Sequence, residues 1–243
     1  MNPLVITAAV LAGFALGWIQ RPVIFGLAVR AAGPVRRSCP WCGGQILDGW
    51  LIARPVLPPS GRCPACRARI GPPPLATELS TGLALGALAA RLHPGPGLAA
   101  AWLVICGGAL GWIDSSVQRL PDVLSVPAYA GTLALLLLTA ATGGHGGDFG
   151  RATLGGLALA AFYLLLTVIS PSGMGLGDVK VAASAGTLLA WSGWTLLLDG
   201  TLATFALGGI YGIGLLTLGR ATGKERMAFG PFILLGALAA LVM

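Results

Sequence analysis

The sequence predicts an all-α polytopic membrane protein, with about eight transmembrane helices and a small zinc-stapled cytoplasmic loop domain after the first helix. Three observations carry that reading. Hydrophobic residues make up 56% of the 243 positions and charged residues only 9%, with a mean hydropathy of +0.84. A soluble domain carries about 25% charge, so this chain cannot dress a water-facing surface and needs the lipid bilayer as its partner. The apolar residues fall into eight runs, and only one polar stretch, from about residue 30 to 75, is long enough to form a domain outside the bilayer. The 38 glycines suit helices that pack closely in lipid.

The first run covers residues 4–20. It is like the apolar part of a signal peptide, but no basic segment precedes it and no small-residue cleavage site is evident, so it reads as a retained span. Apolar character continues unevenly to residue 29, with Pro22 marking either the membrane exit or a kink. Residues 1–29 are therefore one unit, 30–75 the loop domain, and 76–243 a seven-helix membrane core.

The loop is rich in proline and carries Arg30, Arg36, Arg37, Arg54, Arg62, Arg67 and Arg69. It is too short for a hydrophobic core of its own and calls for a staple. Cys39-Pro40-Trp41-Cys42 and Cys63-Pro64-Ala65-Cys66 supply one. Two Cys-x-x-Cys knuckles are a common way to place four thiolates around zinc, so Cys39, Cys42, Cys63 and Cys66 are predicted to hold a structural zinc ion. Two disulfides are the alternative, but the positive charge marks the loop as cytoplasmic, where disulfides are rare. Nearby arginines favour thiolates. Nucleic acid is not the expected partner: only Trp41 and Trp50 interleave the basic residues.

The seven further spans are predicted over 76–92, 98–113, 123–141, 152–169, 179–198, 202–218 and 229–242. With the loop inside, eight spans leave both termini outside. The inside segments would be 21–75, 114–122, 170–178 with the adjoining Lys180, and 219–228. They hold thirteen of the fifteen Lys and Arg residues; only Arg91 and Arg151 lie outside, with Asp148, Asp199 and the His145 loop. This is a positive-inside pattern, and it reads the net charge of +7 as topology. It also brings Asp114 and Asp178, 64 positions apart, to the same membrane face.

Asp114 follows the apolar run that ends at Ile113. Asp178 lies in Gly173-Met174-Gly175-Leu176-Gly177-Asp178-Val179-Lys180. The alternating glycines predict a bare turn in which the backbone approaches closely and adopts positive φ. Acids at membrane depth are functional candidates. Two adjacent carboxyl groups share a proton, so one can take a proton from water while the other polarises a scissile carbonyl. Rival peptidase machinery is poorly supported: the two histidines, His93 and His145, fall on the outer side, and no His-Glu-x-x-His occurs. Cys106 reads as a small buried hydrophobe, and Trp112, Trp191 and Trp194 as interfacial belt residues.

The chain resembles the type IV prepilin peptidases, Gly-x-Gly-Asp aspartic membrane peptidases. The resemblance rests on the two cysteine pairs after the first span, on Asp114 with Arg119-Leu120-Pro121-Asp122, on the 173–180 segment, and on Phe229-Gly230-Pro231-Phe232 opening the last helix. It implies cleavage of the basic leader of type IV prepilins or type II secretion pseudopilins, after glycine, on the cytoplasmic face of the bacterial inner membrane. On that basis Asp114 and Asp178 are catalytic, while Gly175, Gly177, Asp122 and Lys180 shape the site. Many members also N-methylate the new amino terminus with S-adenosylmethionine, an activity associated with the cysteine loop. Residues 13–22, 51–60 and 72–78 depart from the family pattern, so methyl transfer follows only conditionally. Glu78 is retained there, next to the cysteine loop, either to pair with an arginine of that loop or to meet the methyl donor. The rival reading is a small ion-coupled transporter using Asp114 and Asp178 as a proton or cation relay. It would want its acids near the midplane between inverted repeats, and neither feature is visible.

Overall fold

The computed structural model describes residues 3–29, 33–47, 57–143, 146–170, 174–219 and 227–243. Gly173, Arg30, Trp50, Arg54, His145, Arg220, Lys224 and Arg226 lie outside them, as does most of the 51–60 segment.

Eight helices follow one another: α1 (Pro3–Leu27), α2 (Ala76–Arg91), α3 (Pro94–Val117), α4 (Asp122–Gly143), α5 (Gly146–Ile169), α6 (Leu176–Ser192), α7 (Trp194–Thr217) and α8 (Gly230–Val242). Among the described residues there is no β-strand, only two isolated bridges. Helices α1, α3, α4, α5 and α7 are long and apolar enough to cross a membrane. The other three are shorter, at 16, 17 and 13 residues. Helix α6 tolerates its length because it is an interior element. It packs against α3, α4, α5, α7 and α8 and buries Val181, Ala182, Ala185, Leu188 and Leu189.

Several boundaries differ from expectation, each for a local reason. Helix α1 runs through Pro22 to Leu27, with Arg21 and Pro22 both buried. Helix α3 starts with proline at its N-terminus, which needs no N–H there, and continues to a left-handed Gln118 cap, so Asp114 sits inside its last turn. The run expected over 179–198 is broken at Gly193, whose φ of +150° and ψ of 163° suit only glycine. Asp199 therefore lies within α7 and not in a loop. Helix α5 begins at Gly146, placing Asp148 and Arg151 in helix, where they form an ion pair. Trp191 is no belt residue: it is buried in the core, whereas Trp194 is exposed.

Close helix pairs use glycine. A Cβ on Gly13 would lie 2.6 Å from Gly82 Cα, and one on Gly17 2.6 Å from Glu78 Cα, so α1 and α2 meet backbone to backbone. In the loop, the two cysteine knuckles repeat one geometry 24 positions apart. The N–H of Cys39 donates to Gly44 O and that of Cys63 to Ala68 O. Gly43 and Arg67 both take positive φ, and the bridges Ser38–Gln45 and Arg62–Arg69 close each knuckle. Phe25 of α1 joins Cys39, Ile46, Leu47, Leu57 and Cys63 in a small buried cluster, which ties the loop to the end of α1.

Candidate active site

Three helix ends meet at the site. The last turn of α3 carries Asp114, the first turn of α6 carries Asp178, and α8 begins with Gly230. Both carboxylates are buried, each 5% exposed. The N–H of Gly230 donates to Asp114 Oδ2 at 3.1 Å and lies close to Asp178 as well. The two acids are near enough to interact electrostatically.

Asp178 is held by its own helix start. The N–H of Gly175 donates to its Oδ2 at 2.9 Å, while its N–H donates to Gly175 O at 3.0 Å. An acid in the first turn also suits the helix dipole. The other oxygen, Oδ1, is buried without a hydrogen-bond partner among the described residues. A buried, unsatisfied carboxylate oxygen is costly in a resting fold and is available to a water or substrate group.

The glycines act by closeness. A Cβ on Gly177 would come within 2.7 Å of Leu120 Cβ, and one on Gly230 within 2.9 Å of Asp114 Oδ2. The expected positive φ is absent at Gly175 and Gly177: Gly175 has φ −99°, open to any residue. Gly230 is a site residue that sequence reasoning did not assign. Its signal was the Phe229-Gly230-Pro231-Phe232 motif, quoted without a role. Beside it, Phe229 packs in an aromatic group with Tyr163, Phe205 and Phe232, at centroid distances of 6.4, 5.5 and 6.1 Å.

The remaining sequence candidates fall outside this junction. Lys180 pairs with Asp122, joining α6 to the start of α4, with both side chains partly exposed. Glu78 pairs with Arg21 of α1 and not with an arginine of the loop. Arg21 Nε donates to Oε1 at 2.6 Å and Nη2 to Oε2 at 2.7 Å, and Thr77 Oγ1 donates to Oε2 at 2.9 Å. Arg21 also donates to the carbonyls of Pro72 and Pro73, pinning the end of the loop to the membrane core.

The sulfurs of Cys39, Cys42, Cys63 and Cys66 lie within 4.8 Å of one another. Two of the separations, Cys39–Cys66 and Cys42–Cys63, are 3.8 Å. A tetrahedron with 2.3 Å zinc–sulfur bonds has edges of about 3.8 Å, so the cluster can hold that ion. Desolvation opposes ionisation of Cys39, but the N–H groups of Trp41 and Cys42 and the neighbouring thiols outweigh it and bring its thiol down to about 7. At Cys66 the Ala68 N–H favours the thiolate, yet desolvation and the three other thiols push it up to about 12. Four thiols this close share protons unless a cation replaces them.

The sequence pattern of the type IV leader peptidase family matches residues 98–213, which include Asp114 and Asp178. A protein named prepilin leader peptidase/N-methyltransferase from Aeromonas salmonicida is 32% identical over 223 residues, covering 85% of this chain and 71% of its own. Proteins of the same name from Pseudomonas aeruginosa and Burkholderia pseudomallei are 33% and 34% identical, over 84% and 85% of this chain and 70% and 66% of theirs. No solved structure matches the chain significantly. The buried acid pair, the helical membrane core and the extent of these likenesses lead to one conclusion: the chain belongs to the type IV leader peptidase family.

Proposed function

We propose that this protein is a membrane aspartic endopeptidase that removes the basic leader of type IV prepilins or pseudopilins after glycine, with Asp114 and Asp178 as its catalytic pair. The observation that carries the reading is the convergence of both carboxylates on the Gly230 N–H, with Asp178 Oδ1 left open. One carboxylate takes the proton of an attacking water. The other, protonated, donates to the scissile carbonyl as it becomes tetrahedral. The Gly230 N–H and the α6 N-terminus hold the two groups in register. Lys180 and Asp122 brace α6 against α4, and Gly175 and Gly177 form the turn that carries Asp178.

The substrate is a membrane protein with one apolar helix behind its leader. The active site faces the cytoplasm of the bacterial inner membrane, both termini lie outside, and the chain divides into 1–29, 30–75 and 76–243. This orientation is supported by the basic residues of the inside segments. Cys39, Cys42, Cys63 and Cys66 hold a structural zinc ion, since four thiolates leave no open position for water. The protein also N-methylates the new amino terminus with S-adenosylmethionine, as the names of its relatives suggest. Against an ion-coupled transporter, both acids sit in terminal turns, the last of α3 and the first of α6, and not at mid-helix.

Substitution tests the pair. Asp114→Asn and Asp178→Asn should each abolish prepilin cleavage in liposomes while the protein stays folded, because the amide can neither accept the water proton nor hold the shared acidic one. Full activity in either variant would sink the assignment.

A further inference from the structure

A groove of about 310 Å³ runs along α3 between α2 and α8, with Leu188 of α6 at its floor. Its lining on α3 extends from Ala100 to Ser115, a rise of about 22 Å at roughly 1.5 Å per residue. That is most of the roughly 30 Å apolar core of a bilayer. We propose that this groove docks the apolar helix of the substrate and so presents the bond between leader and helix to Asp114 and Asp178. The proposal rests on the peptidase reading above and adds a docking surface to it.

The groove changes character along its length. Ser80 of α2 and Ser115 of α3, both exposed, lie at one end with Pro231 of α8. Beyond them the wall is apolar, with Ala84, Leu103, Val104 and Leu238, and no charged side chain lines the groove among the described residues. A free ion therefore finds no partner there, whereas an apolar helix with a polar segment at one end is matched along its length. Ser80 and Ser115 donate to the carbonyls of Thr77 and Gly111, at 3.2 and 2.7 Å. Their hydroxyl lone pairs remain for the N–H groups of an unwound segment, which needs such partners at membrane depth.

Glycine leaves room for a second helix. A Cβ on Gly107 would meet Leu234 Cδ2 at 2.7 Å, so that position is already filled from α8. One on Gly111, a turn closer to the acids, would find nothing nearer than 3.8 Å. The bare backbone of Gly111 thus stands open in the groove, where another helix can approach closely. Position completes the case. With roughly 3.6 residues per turn, Val104, Gly111 and Ser115 project about 60° to 100° round α3 from Asp114, all to one side. Pro231 follows Gly230, whose N–H holds Asp114 Oδ2. A helix in the groove therefore passes beside Asp114, and the chain leaving its polar end is the part nearest the acid pair. A phospholipid acyl chain would fill the same apolar wall, but it makes no use of the serines or of the open glycine backbone.

The test is cleavage of two substrates by the full chain in phosphatidylcholine liposomes. One is a full prepilin; the other is a soluble peptide with the same leader and cleavage glycine but no apolar helix. Gly111→Leu and Leu235→Trp fill the groove from two sides. Each should raise the KM for prepilin about fivefold or more, the scale of an overpacked contact, with kcat within about twofold of the wild type. Cleavage of the peptide should be unchanged. Leu202→Trp, at a 68% exposed position on α7 away from the groove, should alter neither. Unfolding temperature reports the fold. Wild-type KM in both filled variants overturns the groove and spares the peptidase reading. So does an equal loss on both substrates, or a lost kcat at unchanged KM, because the acids themselves have then moved. If the wild type cuts only the full prepilin, the same KM and kcat criteria decide. A wild type that cuts neither substrate overturns both readings. Filled variants that shed copurified phospholipid while the prepilin KM holds assign the groove to an acyl chain and overturn the proposal.

Discussion

The N–H of Gly230 donates to Oδ2 of Asp114 across 116 positions of sequence, at 3.1 Å. A backbone donor at the start of one helix thus orients a carboxylate at the end of another. Any side chain at Gly230 would meet that oxygen at 2.9 Å. Gly230→Ala should therefore displace Asp114 without removing it. Cleavage should fall by about 100-fold, the usual effect of an ångström-scale misplacement, with prepilin still bound. Near-normal kcat in a folded Gly230→Ala protein would show that the contact does not orient the acid.

The Arg21–Glu78 pair is expected to matter for stability and not for cleavage. The two side chains are 1% and 6% exposed. Glu78→Gln leaves a buried guanidinium without its counter-charge, a loss of about 3 kcal/mol or more. Thermal unfolding in detergent should detect it, with release of the loop's end near Pro72 and Pro73 showing as faster proteolysis there. An unfolding temperature equal to the wild type would contradict the anchoring role.

Lys180 and Asp122 make a contrasting pair. Their side chains are 42% and 68% exposed, so solvent screens the attraction. Lys180→Met should leave the unfolding temperature close to that of the wild type, because exposed pairs add little stability. A loss as large as that of Glu78→Gln would mean that the pair is shielded by something beyond this chain.

Zinc should be stoichiometric in purified protein and lost on Cys63→Ser, by elemental analysis. Chelation should loosen the loop while helix content in the membrane core stays intact, because Asp114, Asp178 and Gly230 sit on α3, α6 and α8. Unchanged zinc in Cys63→Ser would rule out the four-thiolate site.

The α1–α2 contact offers a last test. Gly17→Val places a branched side chain where a Cβ alone lies 2.6 Å from Glu78 Cα. It should separate the two helices and raise the susceptibility of the loop to protease, since backbone atoms cannot yield as a flexible side chain can. A fold as protease-resistant as the wild type would show that the two helices tolerate a wider spacing.

What the sequence determined by itself was whatever depends on near neighbours. Runs of apolar residues specify helices in lipid because every backbone group must bond within its own segment. The paired Cys-x-x-Cys knuckles place their thiolates through turns a few residues long, and the structure brings all four sulfurs together. Asp114 and Asp178 stood out because acids are rare in so apolar a chain. Everything that depends on which helix faces meet was left to the packing of the folded chain. The Arg21–Glu78 pair spans 57 positions, and nothing local distinguished Arg21 from the loop arginines expected to meet Glu78. The Gly230 N–H is a backbone group without a residue-type signature. Its aim at Asp114 comes from α3 and α8 packing against one another, with the Asp114 carboxylate filling the space beside Gly230. Trp191 was misread for the same reason: its run looked interfacial, but α6 is enclosed by five other helices, and enclosure is a property of packing and not of composition.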